Sequence, residues 1–118
     1  VALPIAVDRI SEGAQRGFAR VRSRSRVPGM APIAEANIYS SAVVAIEALM
    51  RAGRGVTRKR FTERLESIQG FVGAMTPPLN YSANDHVGSN GAFIVSYDPE
   101  AGQLSSAGVW IDPTGEAH

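Results

Sequence analysis

The sequence predicts an α/β fold with an N-terminal strand, three helices and a C-terminal β-hairpin region. Three observations carry that reading. Val1-Ala-Leu-Pro-Ile-Ala-Val7 is a short, continuous apolar run. From Ile10 to Gln69 the apolar residues recur at helical spacing, in blocks broken by proline and glycine. Beyond Gly70 the chain turns rich in turn residues, then alternates in two runs flanking Asp98-Pro-Glu-Ala-Gly102.

The apolar opening reads as a buried strand, with Pro4 drawing it towards an edge. Such a strand needs neighbours, so its partners lie elsewhere in this chain or in another. The first helix spans about Ile10 to Arg26. Ile10, Ala14, Phe18 and Val21 share one face, and Arg16, Arg20 and Arg24 recur on the other. Asp8 is placed to cap its start, and Pro28-Gly29 ends it.

The second helix opens near Pro32, a favoured first-turn residue. Ala36, Ile38, Tyr39, Val43, Val44, Ile46 and Leu49 cover almost every direction around its axis. Between Ile33 and Met50 only Glu35 and Glu47 are charged. This pattern predicts a helix buried on nearly all sides, capped by Gly53. The third helix has Thr57 as N-cap, with Val56 and Phe61 at the spacing of a hydrophobic staple. Phe61, Leu65 and Ile68 make its buried stripe, and Gln69-Gly70 stops it. Ala92 to Tyr97 reads as a strand, with Phe93, Val95 and Tyr97 on one face and Ile94 on the other. Leu104 to Ile111 returns beside it carrying Trp110, and Asp112 to His118 reads as a frayed tail.

At 118 residues the chain has a one-domain length, and 44% hydrophobic with 19% charged residues excludes wholesale disorder. A net charge of +1 argues against a globally basic nucleic-acid binder, although 11 of the 12 basic residues are arginine. The absence of cysteine removes disulfides, thiolate metal sites and cysteine nucleophiles. No uninterrupted apolar run reaches about 18 residues, so no membrane span is expected. Asp85-His86 invites a metal reading, but adjacent residues do not easily place two ligands on one ion. The pair reads as a turn with local side-chain hydrogen bonds. The serines sit in no nucleophile elbow, and the glycines form no phosphate loop. No enzyme, cofactor or metal is therefore expected. Three helices need more sheet than one apolar strand and a hairpin supply, which suggests that further chain completes the fold.

The order and detail of these elements resemble the late region of the type I periplasmic solute-binding proteins, the leucine/isoleucine/valine-binding family. A buried helix with a tyrosine near its start ends in a Glu-Ala-Leu-x-x-Ala-Gly pattern, here Tyr39 and Glu47 to Gly53. A Thr-Arg start to the next helix follows at Thr57-Arg58, and its last turns read Arg64-Leu65-Glu66. Then come the Gly-rich Gly70 to Gly73 and a Leu-x-Tyr-x-x-x-Asp-His-x-Gly-Ser segment at Leu79 to Ser89. A hairpin with an acidic-Gly turn and a Trp closes the pattern, as Phe93 to Trp110 does here.

The resemblance implies part of a two-lobed receptor that closes by a hinge on a small solute and delivers it to an ABC-type permease. Residues 1–70 would form one lobe's strand and helices, covering its sheet. Residues 71–118 would form a hinge crossing and C-terminal strands. The implied solute is a branched-chain amino acid or related small amino or carboxylic acid, and the implied location is the periplasm. Ala34, Glu35 and Asn37, at the entrance of the second helix, would touch the solute. Free N–H groups there suit a carboxylate, while Glu35 suits an ammonium group. The plainer reading is that Glu35 and Asn37 are first-turn polar residues answering the helix dipole. The fragment is expected to fold with help, from its own N-terminal part or from a second copy by strand exchange. The rival reading is a small basic domain that binds nucleic acid or protein through the Arg16–Arg26 helix.

Overall fold

The computed structural model describes residues 2–3, 10–26 and 31–114. Strand β1 (Ala2–Leu3) is followed by helices α1 (Glu12–Arg24), α2 (Pro32–Ala52) and α3 (Arg58–Glu66). Strands β2 (Ala92–Asp98) and β3 (Gln103–Ile111) complete the order. The mixed α/β class is as the sequence predicts. Of the apolar opening run only Ala2–Leu3 is described as strand. It pairs antiparallel with β2, Leu3 opposite Phe93, so its partner lies within this chain. The expected Asp8 cap and the Pro28-Gly29 stop lie outside the described residues.

Helix α1 is capped by Ser11, whose hydroxyl accepts from the Ala14 amide at 3.2 Å. Helix α3 is capped by Thr57, whose hydroxyl accepts from the Arg60 amide at 3.1 Å. It ends at Ser67, three residues before the predicted glycine stop. Gly53 follows α2 with φ of 71°, a backbone angle that costs glycine nothing.

Helix α2 differs from the expectation of all-round burial. One row alone is buried: Ala36, Ser40, Val44, Ala48 and Ala52, each at most 4% exposed. These recur every fourth residue, along a single helix ridge. On the other side Ile38 is 71% exposed and Met50 73%, with Ile46 and Leu49 also open. The buried row is built of small residues, so chain can approach closely. Residues 68–81 occupy that side, where Ile68, Ala74 and Leu79 pack on Val44 and Ala48 with Phe61 and Leu65 of α3 beside them. Phe71 and Leu79 pair backbone to backbone, and the Tyr81 amide donates to the Ile68 carbonyl at 2.9 Å. The segment after Gly70 thus folds back over the helices before the chain moves to the sheet.

The hairpin is close to its predicted limits. Asp98 Oδ1 accepts from the Glu100 and Ala101 amides, and Gly102 supplies φ of 65°. Between Phe93–Trp110 and Val95–Ser106 the ladder spends two residues on β2 and four on β3. Gly108, at φ 75°, lies in that bulge, which the sequence pattern does not foretell. Phe93 and Val95 are buried against Leu104 and Trp110, but Tyr97, placed on the same face, is exposed.

The sheet's apolar cluster contains no helical residue. Among the described residues the three helices therefore do not cover this sheet. The physical reason is the ridge of α2, which is already occupied by residues 68–81. The radius of gyration is 15.7 Å, against about 13.5 Å for a compact chain of this length. The accessible surface is 8028 Å², where a compact domain of this mass shows about 6,200 Å². The body is thus flat and open.

Candidate functional site

Two concavities flank α2. The first is an apolar groove of 440 Å³ between α1 and α2. Phe18 and Tyr39 form its floor, with ring centroids 5.4 Å apart at 55°. A Cβ on Gly17 would collide with the Tyr39 hydroxyl, so glycine there lets this ring lie against α1. Arg22 Nε meets Glu35 Oε2 at 3.1 Å at the groove, and the Arg22 guanidinium lies 5.9 Å from the Phe18 ring centroid.

The second is a polar cavity of 400 Å³ between the first half of α2 and residues 76–89. Asn37, Ser40 and Ser41 line it from the helix, and Thr76, Tyr81 and Ser89 from the returning chain. Ser40 Oγ donates to the Ala36 carbonyl at 2.8 Å and accepts from the Met75 amide at 2.9 Å. This one buried hydroxyl ties the helix to the loop. Ser41 Oγ donates to the Asn37 carbonyl. Thr76 Oγ1 and Ser89 Oγ are buried and have no hydrogen-bond partner among the described residues. Burial pushes the Tyr81 phenol above its usual 10.0, so the group stays neutral until strongly alkaline pH. A Cβ on Gly88 would collide with the Tyr81 ring, which leans on that glycine.

The predicted site residues separate around the helix. Glu35 and Asn37 are two positions apart, about 200° around the axis. Glu35 therefore lies at the apolar groove and Asn37 at the polar cavity. Ala34 is exposed. The helix start has no side-chain cap at Ala31, so its N–H groups keep the character expected of an anion-tolerant end. Sequence reasoning passed over Thr76, Ser89 and Ser40, because it weighed the serines only as nucleophiles. Ser40 had a readable signal: it is the one polar residue in the row 36, 40, 44, 48, 52.

Asp85-His86 forms the expected turn. Asp85 Oδ1 accepts from the Val87 amide at 2.9 Å and Oδ2 from Asn90 Nδ2 at 3.0 Å. His86 Nε2 sits 2.9 Å from Glu66 Oε1, linking this turn to α3. Among the described residues no three His, Asp or Glu side chains gather as a metal site would require. On α1, Arg16 pairs with Glu12 and Arg22 with Glu35, so two of the five arginines from Arg16 to Arg26 are spent within the chain. The span Ile33–Ala52 has 20 residues and a mean hydropathy of 1.3, long and apolar enough to cross a membrane by composition. Within that span lie the buried ridge and the Glu47–Arg51 pair at 2.7 Å.

The chain matches no protein family, no curated protein and no solved structure.

Proposed function

We propose that this chain is the C-terminal portion of the solute-binding receptor of an ABC-type uptake system. Its solutes are branched-chain amino acids or related small amino or carboxylic acids, captured in the periplasm and passed to a permease. The observation that carries the reading is the bare side of α2. Ile38, Ile46, Leu49 and Met50 form an apolar face that stays largely exposed among the described residues, with Ile38 and Ile46 lining the open groove beside α1. A helix apolar on both sides suits the middle layer of a larger α/β lobe, where a second surface closes over it. The ordered motifs from Tyr39 to Trp110 add the receptor resemblance to that argument.

The protein on this reading binds and releases without chemistry. Glu35 sits in the first turn of α2, where an ammonium group could meet its carboxylate and a carboxylate could meet free helix amides. The Arg22 pair holds Glu35 in place before ligand arrives. The natural receptor, carrying the covering portion, is tested by thermal shift against a panel of amino and carboxylic acids. A ligand at 100 times its Kd adds about 2.7 kcal/mol of stability, a shift of several degrees. A flat response over the panel, together with steeply salt-dependent DNA binding, overturns the receptor reading in favour of a basic α1 interface.

A further inference from the structure

The polar cavity on the other side of α2 carries an inference independent of the receptor reading. Thr76 and Ser89 are brought to it from two separate parts of the returning chain, and both hydroxyl oxygens are buried and unpartnered. Buried polar groups are almost always paired, so two orphans in one cavity wall mark a place prepared for atoms from elsewhere. The neighbouring hydroxyls do not serve them, since Ser40 and Ser41 are engaged with α2's own carbonyls. The Asn37 side chain lies on the same wall.

The chemistry of the wall selects the ligand. Among the described residues no Lys, Arg, Asp or Glu lines this cavity. His86, the one lining residue able to carry a positive charge, is turned to the Glu66 carboxylate at 2.9 Å. A charged guest would lose water without gaining a counter-charge. Hydroxyl and amide groups each donate and accept, so the guest that matches them carries several groups able to do both. Val44, Leu79 and the Tyr81 ring add apolar surface for a carbon skeleton. The volume of 400 Å³ falls within the usual range for small-molecule sites. We infer that this cavity binds a small uncharged polyhydroxylated ring, a monosaccharide or cyclitol, through Thr76, Ser89 and Asn37. Water does not reach the two oxygens as they stand. A χ1 step between staggered wells re-aims either hydroxyl into the cavity at small cost.

Isothermal titration calorimetry of the protein with D-glucose, D-ribose and myo-inositol tests this, with L-leucine and acetate as charged comparators. At least one polyol is expected to give saturable heat that the comparators do not compete away. Thr76→Val is expected to weaken that binding about tenfold or more. The same variant is expected to raise the melting temperature of the free protein, because a methyl replaces a buried, unpaired hydroxyl. Ser89→Ala repeats the test from the other segment. The inference is overturned by absence of polyol binding, by affinity unchanged in both variants, or by a lower melting temperature in Thr76→Val. Absence of polyol binding with L-leucine binding retained removes this site and leaves the receptor reading standing.

Discussion

Along one side of α2 run Ala36, Ser40, Val44, Ala48 and Ala52, and along the other run Ile38, Ile46, Leu49 and Met50. The first set is small and buried, the second large and open to solvent. A self-sufficient domain puts its largest apolar side chains inside, because each buries the most surface. Here the small row is inside because residues 68–81 and α3 press close to the helix backbone, while the bulky row stays largely open among the described residues. The difference teaches that, among the described residues, α2 is packed closely along one side and only loosely, by α1, along the other.

The packed side should be sensitive in proportion to what each residue fills. Ile68 is fully buried, the largest such side chain, and it sits where α3, the returning loop and the α2 ridge meet. Ile68→Ala is expected to cost about 2–5 kcal/mol, read by urea unfolding. A loss under about 1 kcal/mol would mean that this corner is loosely packed and that the two sides of α2 do not differ as described.

Ser40 comes next, since its hydroxyl is the link between helix and loop. Ser40→Ala leaves the buried Met75 amide without its acceptor, an expected loss of about 1–3 kcal/mol. Its neighbour Ser41 makes a similar bond to a helix carbonyl but is exposed. Ser41→Ala is expected to stay within about 0.5 kcal/mol. Equal losses from the two variants would contradict the assignment of one face as core and the next as surface.

The N-cap of α3 is smaller again. Thr57→Ala removes the acceptor for the Arg60 amide and should cost about 1 kcal/mol, read by the same denaturation. Thr57→Asn should retain most of the cap. If Asn fails where Thr succeeds, then something other than capping holds this residue.

Much of this was legible in the residues themselves. Thr57, Gly53 and the turn after Asp98 mark element ends by local chemistry, and local chemistry survives whatever the rest of the chain does. The hairpin likewise follows from alternation and loop length. Which face of α2 is covered was not legible, because Ala36 and Ile38 are both apolar and hydropathy does not state what lies opposite. The small-residue row at every fourth position was the only clue, and it speaks of close approach rather than of hydrophobicity. The Gly108 bulge was hidden too, since glycine in a strand pattern fits several local geometries. At the candidate site, Glu35 and Asn37 looked like one cluster in sequence, yet helix rotation sends them to different concavities. Thr76 and Ser89 became a pair only through the fold, being separated in sequence by Pro77 to Gly88.

The smallest expected effect is the sharpest test of the comparison. Ile38 is 71% exposed, so Ile38→Ser in the 118-residue chain removes little buried surface. The change in stability should lie within about 0.5 kcal/mol. In a receptor that carries the covering portion the same substitution should cost about 2 kcal/mol or more, because the side chain would then be inside. The pair of measurements separates two origins of the bare face. A near-zero cost in both proteins would mean that the face is true surface, and the larger-lobe argument would lose its support. A cost above about 1 kcal/mol in the short chain alone would mean that this face is already covered in solution, by a second copy of the chain, and light scattering on the same sample would then report a dimer.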